Sequence, residues 1–243
     1  LSSSCNGISE ACKILETPVT GGNVSLYNES KTKDNEITPI YPTPVIGMVG
    51  KIDNVETAIS SEWKNIDDQI WLIGSNKSET TIAASSYLEY IHGEITGRPP
   101  EINLHDEKLC QSFLRNAILK GFVVSSHDIS DGGLAIALAE CCVLSEKGAI
   151  INLQENHNRH DNLLFAEGGS RIIFSIDKIK ENEWLNYLKK NQINSQSSLY
   201  VKKIGHVSDE TLKIKIQDKN ICDIRVEELM EKFNNSISGH FKK

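Results

Sequence analysis

The residues of this chain best suited to chemistry lie in one run, Thr17-Pro-Val-Thr-Gly-Gly-Asn-Val-Ser-Leu-Tyr-Asn-Glu29, where two glycines precede a row of polar side chains. If residues 22 to 27 are extended, successive side chains point to opposite faces. Asn23, Ser25 and Tyr27 then share one face, and Val24 and Leu26 the other. An amide oxygen, a hydroxyl and a phenol sit behind a Gly-Gly turn, where bare backbone N–H groups can approach an anion. That set suits a nucleotide phosphate and its Mg²⁺. The plain alternative is a turn and nothing more, since Gly and Asn both tolerate positive φ. Tyr27 and Glu29 are weaker candidates, readable as an aromatic lining and a solvated acid.

A second arrangement is His127-Asp-Ile-Ser-Asp-Gly-Gly-Leu134, which joins a strand-like run, Phe122 to Ser126, to a nearly all-apolar helical run, Leu134 to Leu144. Asp131 is placed to cap that helix, and Gly132 and Gly133 expose N–H groups at its positive end, as an anion site requires. The same two glycines equally suit close packing of helix on sheet. Histidine is the residue type suited to acid–base work near neutral pH, so His127 qualifies as an acid or base, set against a simple hydrogen-bonding role at the strand end. His157, Arg159, His160 and Asp161 cluster in sequence but read as a mobile, solvated loop rather than a metal site.

The elements that must position these residues follow from periodicity and breakers. Ile8, Ala11, Cys12, Ile14 and Leu15 recur at helical spacing over Gly7 to Leu15, and Thr17-Pro18 ends the helix. A polar strand is expected over 19 to 27, a solvated loop over Asn28 to Glu36, and a second apolar strand over Thr43 to Gly50, entered through Pro42 and Pro44. A short link follows, and Gln69 to Gly74 opens a new domain with a buried strand. Asp106 is placed to cap a helix bearing Leu109, Phe113, Ala117 and Ile118, which Gly121 ends in the left-handed region. Further strands are expected at Arg171 to Ile176 and Leu212 to Ile216, and a helix at Glu181 to Lys190. Val226, Leu229, Met230 and Phe233 mark an amphipathic helix in the tail.

Three segments taken together, Gly21 to Glu29, Pro42-Thr-Pro-Val-Ile-Gly-Met-Val-Gly50 and His127 to Leu134, resemble in order and spacing the second half of the phosphoribosylformylglycinamidine synthases. These are ATP-dependent amidotransferase synthetases of purine biosynthesis, within the wider family of aminoimidazole ribonucleotide (AIR) synthetase-like enzymes. The resemblance runs over most of the chain. It implies that Asn23 supplies its amide oxygen to Mg²⁺, that Gly22 contacts ATP through its backbone, and that Ser25 contacts the formylglycinamide ribonucleotide substrate. Gly132 and Gly133 are candidate phosphate contacts. Glu167-Gly-Gly-Ser-Arg171 is similar to a Glu-Ser-Gln-type substrate segment of the family's other half. Here Gly168 and Gly169 replace the larger polar pair, so the segment reads as a relic or an auxiliary phosphate site, with Arg171 a structural ion-pair partner.

The implied architecture is α+β: the end of an AIR synthetase N-terminal-like domain over residues 1–60, a C-terminal-like domain over 66–220, and a helical tail over 221–243. In the implied reaction ATP phosphorylates the amide oxygen of formylglycinamide ribonucleotide, and ammonia then displaces phosphate to leave the amidine. The ammonia implies a glutaminase partner, since no Cys-His glutaminase signature is visible in the chain. With Leu1 rather than Met at its start, the chain is expected to be a C-terminal fragment that carries no catalytic residue of its own and needs the first half of the synthetase. The rival readings are a non-catalytic nucleotide-binding or scaffold half, and a related kinase of a small substrate such as thiamine phosphate or selenide.

Length and composition bound these readings. A chain of 243 residues buries enough interior to fold without staples. The formal charge of −7, with both signs interspersed, argues against a nucleic-acid surface. No apolar run approaches the ~20 residues of a membrane span, so no membrane is expected and a soluble cytoplasmic location is. The six cysteines, at 5, 12, 110, 141, 142 and 222, form no Cys-x-x-Cys pair and read as reduced, buried thiols.

Overall fold

The computed structural model describes residues 2–23, 29–41, 43–154, 159–193, 197–237 and 239. They form two compact units, one ending at Asp53 and one beginning at Asn54, and each is described by itself.

The first unit opens with α1 (Ser2–Leu15), longer than the expected Gly7 to Leu15 because no breaker interrupts Ser2 to Asn6. Glu16 at φ 60 turns the chain out of the helix before Pro18. Residues 17–23 are not a strand, contrary to expectation; the rest of the expected strand, with Ser25 and Tyr27, lies outside the described residues. An extended segment needs a ladder partner, and among the described residues none pairs with 17–23. Asn28 to Glu36 was expected to be a solvated loop. Instead β1 (Glu29–Lys31) and β2 (Ile37–Pro39) pair antiparallel, Ser30 facing Thr38. Their turn is closed by the Thr32 N–H donating to the Glu36 carbonyl at 2.9 Å, with Asn35 at φ 63. Nor is Thr43 to Gly50 a strand: it joins no sheet among the described residues, and Val45 is 91% and Val49 102% exposed.

The second unit contains, in order, β3 (Gln69–Ser75), α2 (Ser86–His92), α3 (Leu104–Leu119), β4 (Val123–Asp128), α4 (Gly133–Ser145), β5 (Gly148–Leu153), α5 (His160–Phe165), β6 (Ile172–Ile176), α6 (Glu181–Lys190), β7 (Leu199–Ser208), β8 (Thr211–Ile216), β9 (Lys219–Arg225) and α7 (Val226–Asn235). The strands form one sheet in the order β4-β6-β3-β7-β5-β8-β9, antiparallel throughout except for the parallel pair β5 and β8. This is an α+β architecture with helices on both faces of the sheet. Strand β3 is buried at every residue, and Ile70 to Gly74 within it form a continuous apolar run rather than an alternating one.

Each face of the sheet has its own core. Ile70, Leu72, Ile151 and Ile173 meet Leu134 and Leu138 of α4 on one side. On the other, Trp71, Ile73 and Phe174 meet Phe113 of α3 and Trp184 of α6. Helix α4 buries Leu134, Ala137, Leu138, Cys141 and Cys142, with α5 and α7 packed against it, while Ile136 and Leu144 stay exposed. Val226 of α7 is buried, and Leu229 and Met230 pack on the same core.

Helix α3 is capped otherwise than expected. Asn103, not Asp106, takes the N-cap, its side chain accepting from the Asp106 N–H at 3.0 Å. Asp106 instead points into the protein and accepts from the hydroxyls of Ser75 at 2.5 Å and Ser198 at 2.6 Å. Gly121, at φ 71, ends the helix as expected: its N–H reaches the Ile118 carbonyl, and the Phe122 N–H reaches that of Ala117. All six cysteines are free, but only Cys110, Cys141 and Cys142 are buried, and Cys5 is exposed.

Candidate functional site

Gly21, Gly22 and Asn23 lie in the first unit as exposed coil. A Cβ built on Gly21 or Gly22 meets nothing within 4 Å, so the backbone there is open to approach. Asn23 is exposed, and its side chain carries a hard amide oxygen. Among the described residues no group of three or more His, Cys, Asp or Glu could cage a metal ion. A Mg²⁺ held by Asn23 therefore fits only as one completed by phosphate oxygens, which is how Mg²⁺ at nucleotide sites is commonly bound.

In the second unit the two glycine motifs of the sequence meet. The chain leaves β4 through Asp128 and turns at Gly132 (φ 76) and Gly133 (φ 69) into α4. Asp131 does not cap this helix; its N-cap is Gly132, and no side chain of the turn itself bonds to the helix start. The Glu167 carboxylate comes from the far side of the site instead. Its Oε1 accepts from the Gly132 N–H at 2.7 Å and from the Ser86 N–H, at the start of α2, at 2.9 Å. One carboxylate oxygen thus takes the place that an anion would take at both helix starts. The Thr81 and Glu167 backbones bridge antiparallel, which holds the carboxylate in position.

Gly133 lies against backbone. A Cβ there would be 2.7 Å from the Phe165 carbonyl carbon and 2.8 Å from the Ala166 oxygen. At Gly132 a Cβ would meet only the side chain of Ile136, at 2.4 Å. The two glycines therefore differ: Gly133 permits close approach of α4 to the C-terminal end of α5, at Phe165 and Ala166, and Gly132 presents an amide to Glu167.

His127 has a partner that its sequence neighbours do not reveal. Its Nε2 lies 3.0 Å from Glu140 Oε2 on α4, and its Nδ1 is 3.6 Å from Asp128 Oδ1. The side chain borders a cavity of about 410 Å³ lined by Ser60, Ser61, Ser126 and Asp128. Glu140 lies 13 positions from His127 within an apolar helical run, a spacing with no sequence signal for a contact.

The remaining sequence candidates resolve as follows. Arg159 pairs with Asp161, and residues 160–165 form α5 rather than a loop; a hydrogen-bonded turn with Leu164 buried competes successfully with solvation. His157 lies outside the described residues. Arg171 is not an ion-pair partner among the described residues. It is 9% exposed, and its Nη1 donates to the Ala166 carbonyl at 3.0 Å. The carboxylate nearest in sequence, Glu167, is engaged by the two amides.

Residues 65–216 match the family of AIR synthase related proteins, over its C-terminal domain. Along 99% of its length the chain is 84% identical to the phosphoribosylformylglycinamidine synthase subunit PurL of Prochlorococcus marinus strain MIT 9312, and 67% identical to that of strain MIT 9515. It spans 31% of the length of each. The fold is similar to Thermotoga maritima PurL complexed with FGAR, with a TM-score of 0.62 at 15% identity over 92% of this chain and 36% of that one. The same protein complexed with AMPPCP gives a TM-score of 0.62 at 16% identity, over 92% and 34%. No helix among the described residues is long and apolar enough to cross a membrane.

Proposed function

The chain belongs to the family of AIR synthase related proteins, and from this premise we propose that it is the C-terminal part of a phosphoribosylformylglycinamidine synthase acting in purine biosynthesis. The observation that carries the reading is the 84% identity to a PurL subunit, sustained over 99% of the chain. The proposed activity is that of an ATP-dependent carbon–nitrogen ligase in the cytoplasm. The amide oxygen of formylglycinamide ribonucleotide attacks the γ-phosphorus of ATP, ADP leaves, and ammonia then replaces the phosphoryl oxygen at carbon to give the amidine and phosphate. A glutaminase supplies the ammonia, and the first half of the synthetase supplies the catalytic residues.

Within that scheme, Gly22 lets nucleotide approach the backbone closely, as its open surroundings allow. Asn23 is the residue that would hold Mg²⁺, and the cation when bound neutralises charge on phosphate oxygens. Ser25 is proposed to orient the ribonucleotide. Gly132 is proposed to serve the site indirectly, since Glu167 already takes its amide. The auxiliary-phosphate reading of the Asp-Gly-Gly turn would require that carboxylate to withdraw.

In the full-length synthetase, Asn23→Ala is expected to lower kcat for ATP-dependent amidine formation by about a hundredfold, as loss of one ligand to a charge-neutralising cation does. The melting temperature should not change. An unchanged rate and Mg²⁺ dependence would make Asn23 a turn residue and nothing more.

A further inference from the structure

Between the sheet and the helices α4 and α5 lies a cavity of about 80 Å³. Arg171, Thr80, Asn162 and Tyr200 line it together with Leu72 and Leu134. The arginine is the unusual member. It is 9% exposed, yet one backbone carbonyl is its hydrogen-bond partner, and no carboxylate faces it among the described residues. A guanidinium carries five N–H donors and no acceptor, and burying its charge without a counter-charge is costly. Burial accordingly pushes the Arg171 pKa down, and Tyr200 is the group that draws it back.

The other polar groups add donors. The hydroxyls of Thr80 and Tyr200 and the amide of Asn162 can all donate into the same space. Burial pushes the Tyr200 pKa up, so its phenol keeps its proton at neutral pH. Lys202 lies on the same face of β7, its Nζ 5.2 Å from the Tyr200 ring centre. A cavity lined with donors and a buried cation is matched by a ligand that is anionic and only accepts hydrogen bonds. The space exceeds that of a single water but is far below the roughly 300 Å³ at which pockets for drug-sized ligands begin. A base or a ribose does not fit within it.

We infer that this cavity is a binding site for one small tetrahedral oxyanion, inorganic phosphate in particular, with Arg171 as its counter-charge and Thr80, Asn162 and Tyr200 as hydrogen-bonding partners. The proposal stands on the cavity alone, whatever reaction the longer protein catalyses.

Equilibrium dialysis of the 243-residue chain against radiolabelled inorganic phosphate tests it, at constant ionic strength set with chloride. The expected result is saturable binding of about one phosphate per chain, weakened at least about tenfold by Arg171→Met and several-fold by Tyr200→Phe. If Arg171→Met does not fold, Thr80→Val and Tyr200→Phe carry the comparison, each checked by circular dichroism. Sulfate should compete and ADP should not. Absence of saturable binding, or binding indifferent to these substitutions, overturns the site. Displacement of phosphate by ADP at equal concentration overturns its assignment to a free ion, and assigns it to the phosphoryl end of a nucleotide.

Discussion

Gly133 provides the sharpest test of how the Asp-Gly-Gly turn works. Placing a methyl group there by Gly133→Ala sets a Cβ 2.7 Å from the Phe165 carbonyl carbon and 2.8 Å from the Ala166 oxygen, both of them backbone atoms. To restore ordinary contact at 3.4 Å, α4 and the C-terminal end of α5 must separate by roughly 0.7 Å, against a core that is close-packed on the same face. Overpacking of this kind costs about 1–3 kcal/mol. The left-handed backbone at φ 69 adds about 1 kcal/mol for any residue with a Cβ. A loss of about 3 kcal/mol corresponds to a fall in melting temperature of roughly 6–12 °C for a unit of this size. Gly132→Ala suffers the same backbone strain but meets only the movable side chain of Ile136, so it should fall by less. Gly22→Ala meets nothing and should melt within about 1 °C of the parent or slightly above it. Thermal unfolding followed by circular dichroism measures all three. If Gly133→Ala melts with Gly22→Ala, the close approach of α4 to Phe165 is not what requires glycine.

Two further predictions concern the carboxylates of Glu167, which is half-buried, and Asp106, which is buried. Glu167→Ala removes one acceptor from two helix starts and should cost about 2 kcal/mol, with faster hydrogen exchange at Gly132 and Ser86, whereas Glu167→Gln should lose roughly half as much; exchange rates unchanged at both amides would contradict the assignment. Burial acts to raise the Asp106 pKa, but the hydroxyls of Ser198 and Ser75 outweigh it and hold the carboxyl below the ordinary aspartate range. A depressed folded pKa gives stability that is complete above the unfolded value and lost as pH falls through the folded one. Asp106→Asn should therefore lower the melting temperature at pH 7, by an amount that shrinks as the pH falls through the depressed folded value, and an equal loss at neutral and strongly acid pH would show that charge is not what the serines recognise.

How much of this was legible in the sequence depends on where each contact comes from. Helix α6 was readable because its signal is local: apolar periodicity between charged ends sets Glu181–Lys190 without help from other elements. The Gly121 ending of α3 was readable for the same reason. Strands β5, β7 and β9 were not, since short β segments are defined by partners tens of residues away. Within the candidate site the turn at Gly132 was visible, but its cap was not. Asp131 is the nearest acid in sequence, yet Glu167, 35 positions on, supplies the oxygen, and only the Thr81–Glu167 bridge brings it there. The expected strand through Asn23 failed in its described part for a related reason. Alternation gives a strand its two faces, but pairing keeps it extended, and the described residues offer 17–23 no pairing.

The central claim, that this chain is one part of a phosphoribosylformylglycinamidine synthase, is tested most directly by product formation. Formylglycinamide ribonucleotide, ATP, Mg²⁺ and ammonia should be supplied in parallel to the 243-residue chain alone and to the full-length synthetase that contains it, with amidine, ADP and phosphate all quantified. The full-length protein should form the three products in equal amounts, and the chain alone should form no amidine above a control without enzyme. Turnover by the chain alone would contradict its assignment as an incomplete part, and a full-length protein that consumes ATP without making amidine would contradict the assigned reaction.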